Sequence, residues 1–289
     1  MTLSDALAKE FDQAVVSLQP IGGGDIHQAF CVQLRDGTEI FVKSSDRTSA
    51  LLFAAEAEGL SWLAEPGILR VPQVLAVGQG DEDAPTFLAL EFIRAGRPAR
   101  DFDELLGRGL AALHAACAPH FGHAHDNFIG TLPQDNRAVE ADTWAEFYRL
   151  RRLQPQWQRM VDAGLTSETG RMAYESLCNR LPDLCGSNEP PARLHGDLWS
   201  GNHLCDESGA PVIFDPAIYG GHREMDLAMM RLFGGFGSRA YASYREASPL
   251  AEGAHERVEL FQLYPLMVHA NLFGGGYAEQ VATIIAHYA

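Results

Sequence analysis

Asp197 and Asn202, with four residues between them in Leu194-His195-Gly196-Asp197-Leu198-Trp199-Ser200-Gly201-Asn202, have the types and spacing that phosphoryl transfer to an alcohol requires. The Asp can align an acceptor hydroxyl and take its proton, and the Asn can bind Mg²⁺. A second carboxylate must then chelate the Mg²⁺ that bridges the β- and γ-phosphates of ATP. Asp215 closes the apolar run Pro211-Val212-Ile213-Phe214, at the end of an expected strand. The competing reading is a β-hairpin with a polar turn, since Asp, Asn and Gly are ordinary turn residues. Turn chemistry alone does not call for His-Gly-Asp, Asn and a strand-end Asp together.

Such a site also needs elements that hold the nucleotide phosphates, and the N-terminal third supplies candidates. Gly22, Gly23 and Gly24 precede the strand-like segment 29–34, Asp36-Gly37 signals a hairpin turn, and Glu39 to Lys43 returns as a second strand. The glycines allow backbone N–H groups to approach phosphates, although the triplet matches neither the Walker pattern nor the dinucleotide fingerprint. Among 22 Lys plus Arg, lysine occurs only at Lys9 and Lys43. A compact ammonium reaching the α- and β-phosphates is not replaceable by a planar guanidinium, so Lys43 is the expected phosphate lysine. Its partner should be a Glu on the following helix, residues 50–63, whose apolar stripe runs through Leu52, Phe53, Leu60 and Leu63. Glu56 is the first choice and Glu58 the competitor.

With these residues in place, the chain resembles the fructosamine and ketosamine kinases, relatives of the aminoglycoside and choline kinases. The resemblance runs almost end to end, through Gly22-Gly23-Gly24, Phe41-Val42-Lys43, Leu113-His114, His195 to Asn202, Asp215-Pro216-Ala217, Gly221-His222-Arg223-Glu224 and His269-Ala270-Asn271. It implies an α+β, bilobal protein-kinase-like fold: a small N-terminal antiparallel-sheet lobe, residues 1–93, and a larger, mostly helical C-terminal lobe, residues 94–289. It also implies ATP and Mg as cofactors and phosphorylation of the 3-hydroxyl of a ketosamine, whose product sheds phosphate and frees the amine. Backbone groups near Glu91 and Ile93 would hydrogen-bond adenine. Trp199 is a candidate to stack on the sugar, with Glu224 and His269 as candidate hydroxyl partners. The chain departs from its relatives at Asp25, where many have a cysteine, at His27 and at Val268. The alternative is a small-molecule kinase of the aminoglycoside or choline type.

Composition narrows the remaining classes. A formal net charge of −16 disfavours nucleic acid and anionic membranes as partners, leaving a small ketosamine or a glycated protein as the expected substrate. The N-terminal segment has no charged region followed by an apolar one, and no segment is apolar and long enough to span a membrane, so a cytoplasmic location is expected. Cys31, Cys117, Cys178, Cys185 and Cys205 are odd in number and irregularly spaced, which disfavours a disulfide framework and a zinc site. Residues 102–116, 143–160 and 167–180 are expected helices, the second capped by Asp142 or Thr143. His120, His123, His125 and Asp126 read as a polar connection, and Gly274-Gly275-Gly276 as a close-packed turn. Asp226 has two readings of equal weight: it accepts backbone N–H bonds from the loop at Asp197, or it caps a helix.

Overall fold

Strict alternation in Glu39-Ile40-Phe41-Val42-Lys43-Ser44-Ser45 produces a strand with two different faces: Ile40, Val42 and Ser44 are buried, and the residues between them are half-buried. The computed structural model describes residues 1–22, 28–45, 50–80, 84–140 and 143–289. Gly23, Gly24, Asp25, His27 and Asp142 lie outside the described residues. The chain opens with α1 (Leu3–Glu10), β1 (Val15–Ile21), β2 (Gln28–Leu34), β3 (Glu39–Ser45), α2 (Ala50–Ala64), β4 (Val74–Gly78) and β5 (Thr86–Glu91). The five strands form an antiparallel sheet in the order β1-β2-β3-β5-β4. Ile40 and Val42 turn to the face covered by Ala6 and Leu7 of α1, together with Val32, Leu34 and Ala89. Phe41 turns to the other face, where Phe53, Ala57 and Leu60 of α2 pack with Leu88 and Leu90. Lys43 is two residues beyond Phe41 and therefore shares the α2 face.

The chain continues through α3 (Phe102–Ala115), β6 (Asn127–Ile129), β7 (Leu132–Gln134), α4 (Trp144–Phe147), a π-helical stretch Tyr148–Leu153, α5 (Gln154–Asp162), α6 (Glu168–Leu184) and β8 (Ala192–Leu194). It ends with β9 (His203–Cys205), β10 (Pro211–Ile213), β11 (Tyr219–Gly221), α7 (Glu224–Leu232), α8 (Ser238–Ala247), α9 (Val258–Phe273) and α10 (Gly276–Tyr288). The helix expected over residues 143–160 is thus interrupted: the Gln154 N–H donates to the Arg149 carbonyl five residues back, and Pro155 has no N–H with which to continue a regular ladder. Thr143 is its cap, accepting from the Glu146 N–H.

Two compact units divide the chain, Met1–Phe102 with His203–Ala217 and Asp103–Asn202 with Ile218–Ala289. This division differs from a boundary between residues 93 and 94, because the connector after β5 is bonded to the β9–β10 hairpin. Gly96 N–H donates to Cys205 C=O at 2.8 Å and Ala99 N–H to Gly209 C=O at 3.1 Å. In the second unit α9 is buried on nearly all sides and packs against α5, α7 and α10, as a helix apolar on most of its circumference must. Gly274 and Gly275 turn the chain into α10 with φ of 64° and 63°. Nothing lies within 4 Å of where their Cβ atoms would be, so backbone conformation and not close packing requires glycine there. Among the described residues no helix is long and apolar enough to cross a membrane.

Candidate active site

Lys43 lies between two carboxylates of the first unit. Its Nζ donates to Glu56 Oε1 at 2.8 Å and also to Asp215 Oδ1. The period of β3 turns Lys43 towards α2, and Glu56, three residues after the buried Phe53, sits beside the stripe that docks α2 on the sheet. Glu56, and not Glu58, is therefore the lysine's partner. Asp215 is delivered by the end of β10, where the chain adopts φ 55°, a left-handed conformation uncommon outside glycine. The β9–β10 hairpin is held by Asp206, whose Oδ1 accepts from the Ser208 and Ala210 N–H groups, and by Ile213 N–H bonding to Arg70 C=O. The hairpin and the strand-end carboxylate are thus parts of one design, not competing readings.

Electrostatics at this cluster are unbalanced. Burial alone would lower the Lys43 ammonium, but the charges of Glu56 and Asp215 and their hydrogen bonds raise it above the ordinary lysine value. Burial raises the Glu56 carboxyl well above the usual carboxylate range; Lys43 opposes this and the Asp215 charge adds to it. Two carboxylates compete for one ammonium.

The loop carrying Asp197 is built wholly within the second unit. β8 pairs antiparallel with β11, Leu194 opposite Tyr219, so the chain leaving β11 turns into α7 beside the start of the loop. Asp226, in the first turn of α7, accepts from His195 N–H at 2.8 Å and Gly196 N–H at 2.9 Å. Gly196 has φ 83°, which a side chain would resist. Of the two readings of Asp226, the geometry shows the first: it clamps the loop, and Arg223, not Asp226, is the N-cap residue of α7. Behind it, His114 Nε2 lies 3.2 Å from Asp226 Oδ2 and His114 Nδ1 lies 2.8 Å from the Tyr244 hydroxyl. Burial would raise the Asp226 carboxyl, yet the bond and charge of His114, the charge of His195 and the Gly196 N–H hold it below the ordinary range. Within the loop, Asn202 Nδ2 donates to Asp197 C=O at 2.9 Å and to Asp197 Oδ2 at 3.2 Å. The expected pair is therefore in direct contact.

The other expected residues divide. Gly22 follows β1, and among the described residues nothing lies within 4 Å of where its Cβ would be. The Glu91 N–H donates to Gln73 C=O, while its side chain pairs with Arg70 at 2.6 Å; Ile93 follows in the connector. Trp199 and His269 are joined through Phe233, with ring centroids 6.0 Å from Trp199 and 4.8 Å from His269. Tyr277 and Phe273 extend this aromatic wall beyond His269. His269 Nδ1 lies 2.8 Å from the Pro265 carbonyl oxygen, and its pKa is lowered, mainly by burial. Glu224 corrects the sequence reading. Both its oxygens accept from Arg257, at 2.7 and 2.9 Å, and it is buried, so its carboxylate is committed to an ion pair. The His114–Asp226 clamp was not legible as a pair, since a lone helical His carries no spacing signal; Tyr244 and Phe233 had none either.

A fructosamine kinase family profile matches residues 1–289. A Lactiplantibacillus plantarum protein named probable ketoamine kinase is 37% identical over 275 residues, covering 95% of this chain and 95% of its own length. A chloroplastic protein-ribulosamine 3-kinase of Oryza sativa subsp. japonica is 38% identical over 283 residues, covering 95% of this chain and 79% of its own. A crystal structure from Thermobifida fusca YX-ER1 bearing the name fructosamine-3-kinase has a TM-score of 0.87 at 39% identity, covering 99% of this chain and 98% of that one. The α+β, protein-kinase-like fold expected from the sequence is the fold found.

Proposed function

The chain belongs to the fructosamine kinase family, and from that premise we propose that it transfers the γ-phosphoryl group of ATP to a ketosamine hydroxyl. The observation that carries this reading is Lys43 held between Glu56 and Asp215, the arrangement that positions an ammonium for nucleotide phosphates. Asp197 aligns the acceptor hydroxyl and takes its proton, and Asp226 fixes the loop that presents it. Gly22 with Gly23 and Gly24 covers the phosphates, and the backbone near Glu91 and Ile93 takes adenine. Asn202 and Asp215 would hold Mg²⁺: both offer oxygen ligands, which suit a hard cation, and the competition for Lys43 would be relieved if Asp215 turned to a metal. When bound, Mg²⁺ neutralises charge on the β- and γ-phosphates. Trp199 and His269, on one aromatic wall, line the sugar, with the wall supplying apolar area to the ring faces.

The names of the rice and Thermobifida relatives support the 3-hydroxyl of a ribulosamine or fructosamine as acceptor. The phosphorylated product would eliminate phosphate and release the amine, so the net result is deglycation in the cytoplasm. The test is ATP consumption with ribulosamines, fructosamines, aminoglycosides and choline offered in parallel. Turnover confined to the first two is expected. Turnover of only an aminoglycoside or choline overturns the assignment.

A further inference from the structure

One member of the aromatic wall in the second unit is also a hydrogen-bond acceptor. His269 Nδ1 lies 2.8 Å from the Pro265 carbonyl oxygen, which can only accept, so Nδ1 carries the proton. Burial lowers the His269 pKa and keeps the ring neutral at neutral pH, which leaves Nε2 with a bare lone pair. Among the described residues no group donates to it. His269 is half-buried and Nε2 is not enclosed in the core, so a ligand can reach it. Phe233, Tyr277 and Phe273 surround the imidazole, with ring centroids 4.8, 5.2 and 5.6 Å away. Phe233 is 37% and Phe273 61% exposed. The wall lies against the loop that carries Asp197: a Cβ on Gly235 would come within 2.4 Å of Ser200 Cβ.

We infer, given the kinase reading above, that this cluster binds the amine nitrogen of the ketosamine: His269 Nε2 accepts an N–H, and Phe233, Phe273 and Tyr277 flank the positive charge. The nitrogen of a ketosamine is a secondary amine that is protonated at neutral pH, and its N–H makes a charge-assisted bond to a neutral imidazole. Aromatic faces carry negative charge and attract a cation, whereas a neutral hydroxyl gains little from them. A carboxylate would meet only a lone pair and ring faces of its own sign. The group this set selects is therefore a donor and a cation at once. The partner of His269 is then the nitrogen and not a sugar hydroxyl. The hydrocarbon substituent on that nitrogen leaves past Phe273, the most exposed ring of the wall.

ATP consumption by the full chain with N-butylribulosamine, and with the butyl ether in which oxygen replaces that nitrogen, tests this. The ether keeps the sugar and the hydrocarbon but has neither N–H nor charge between them. Wild-type kcat/KM should favour the amine by at least about tenfold. His269→Phe keeps an aromatic ring and removes the acceptor, so the amine-to-ether ratio should fall by about fivefold or more. A merely structural role for His269 would lower both substrates alike and leave the ratio. Phe273→Leu, at an exposed position, should lower the ratio by about threefold, and it decides the matter if His269→Phe melts well below wild type. Equal use of amine and ether by the wild type, or an unchanged ratio in the folded variants, overturns the assignment while the kinase reading stands. Use of neither substrate overturns both.

Discussion

The Lys43 cluster and the Asp226 clamp both place a carboxylate among donors away from bulk water, yet the two carboxyls shift in opposite directions. Asp226, with its side chain 1% exposed, is held below the ordinary carboxylate range because two backbone N–H groups and His114 supply its bonds. Glu56, with its side chain 15% exposed, is raised chiefly by burial, which the Lys43 ammonium it shares with Asp215 does not offset and to which the Asp215 charge adds. Burial pushes both upward; the completeness of the donor set decides which way each goes. The clamp is a finished piece of scaffold, whereas the cluster leaves two carboxylates sharing one ammonium, as the proposed nucleotide and metal site would.

The largest effect should come from Asp197→Asn, at a position that sits on the finished scaffold and that we propose takes the acceptor's proton. Losing the proton acceptor should lower kcat by roughly 10²–10⁴-fold while ATP binding and the melting temperature stay near wild type. Steady-state kinetics with a ribulosamine, alongside ATP titration, read this out. A raised KM with normal kcat would recast Asp197 as a sugar-binding residue.

Asp226→Ala should fail differently. It removes the partner of two buried N–H groups and of His114, a loss on the order of 3–5 kcal/mol of stability, seen as a melting temperature lower by roughly 10 °C. If the variant melts like wild type and loses only turnover, the clamp is not scaffold and the contrast with Lys43 fails.

An acid-side prediction comes from the same region. Burial, opposed by the Glu189 charge and aided by the Arg257 and Arg223 cations, lowers His222 from 6.5 to about 4. Its Nδ1 accepts from the Glu224 N–H at 3.3 Å, as a neutral ring does. A His neutral when folded contributes stability that is present above about 6.5 and lost as pH falls towards about 4. The loss is on the order of 3 kcal/mol. Urea unfolding at intervals between pH 7 and 4 measures it, and His222→Gln should flatten the slope; an unaltered slope in the variant would assign the acid sensitivity elsewhere.

What the sequence made legible was whatever rests on short range. Asp197 and Asn202 are five positions apart and bond directly, and Lys43 with Glu56 follows from a strand period meeting a helix period. What stayed hidden depends on partners far along the chain. Glu224 reads as an available carboxylate until Arg257, 33 positions later, takes both its oxygens. Asp226 could not be resolved between cap and clamp because its partners lie 30 and 31 positions earlier. The interruption of the helix at residues 148–153 had only Pro155 as a hint, and a proline in the first turn is compatible with an ordinary helix start.

Asp215→Asn should give the smallest stability effect and the sharpest test of the contrast. Asp215 is 36% exposed at its side chain, and ion pairs this accessible contribute roughly 0–1 kcal/mol. Its removal leaves Lys43 and Glu56 as a simple pair and withdraws one of the charges that raises Glu56. The left-handed backbone at φ 55° accepts Asn readily. The melting temperature without ligands should therefore stay level or rise slightly, within about 1 kcal/mol. The upward shift that Mg·ATP gives the wild type should vanish, because the carboxylate that would hold the metal is gone. Thermal melts with and without Mg·ATP decide it. A variant that melts several degrees lower yet keeps its nucleotide-dependent shift would make Asp215 scaffold, like Asp226, and erase the distinction between the two regions.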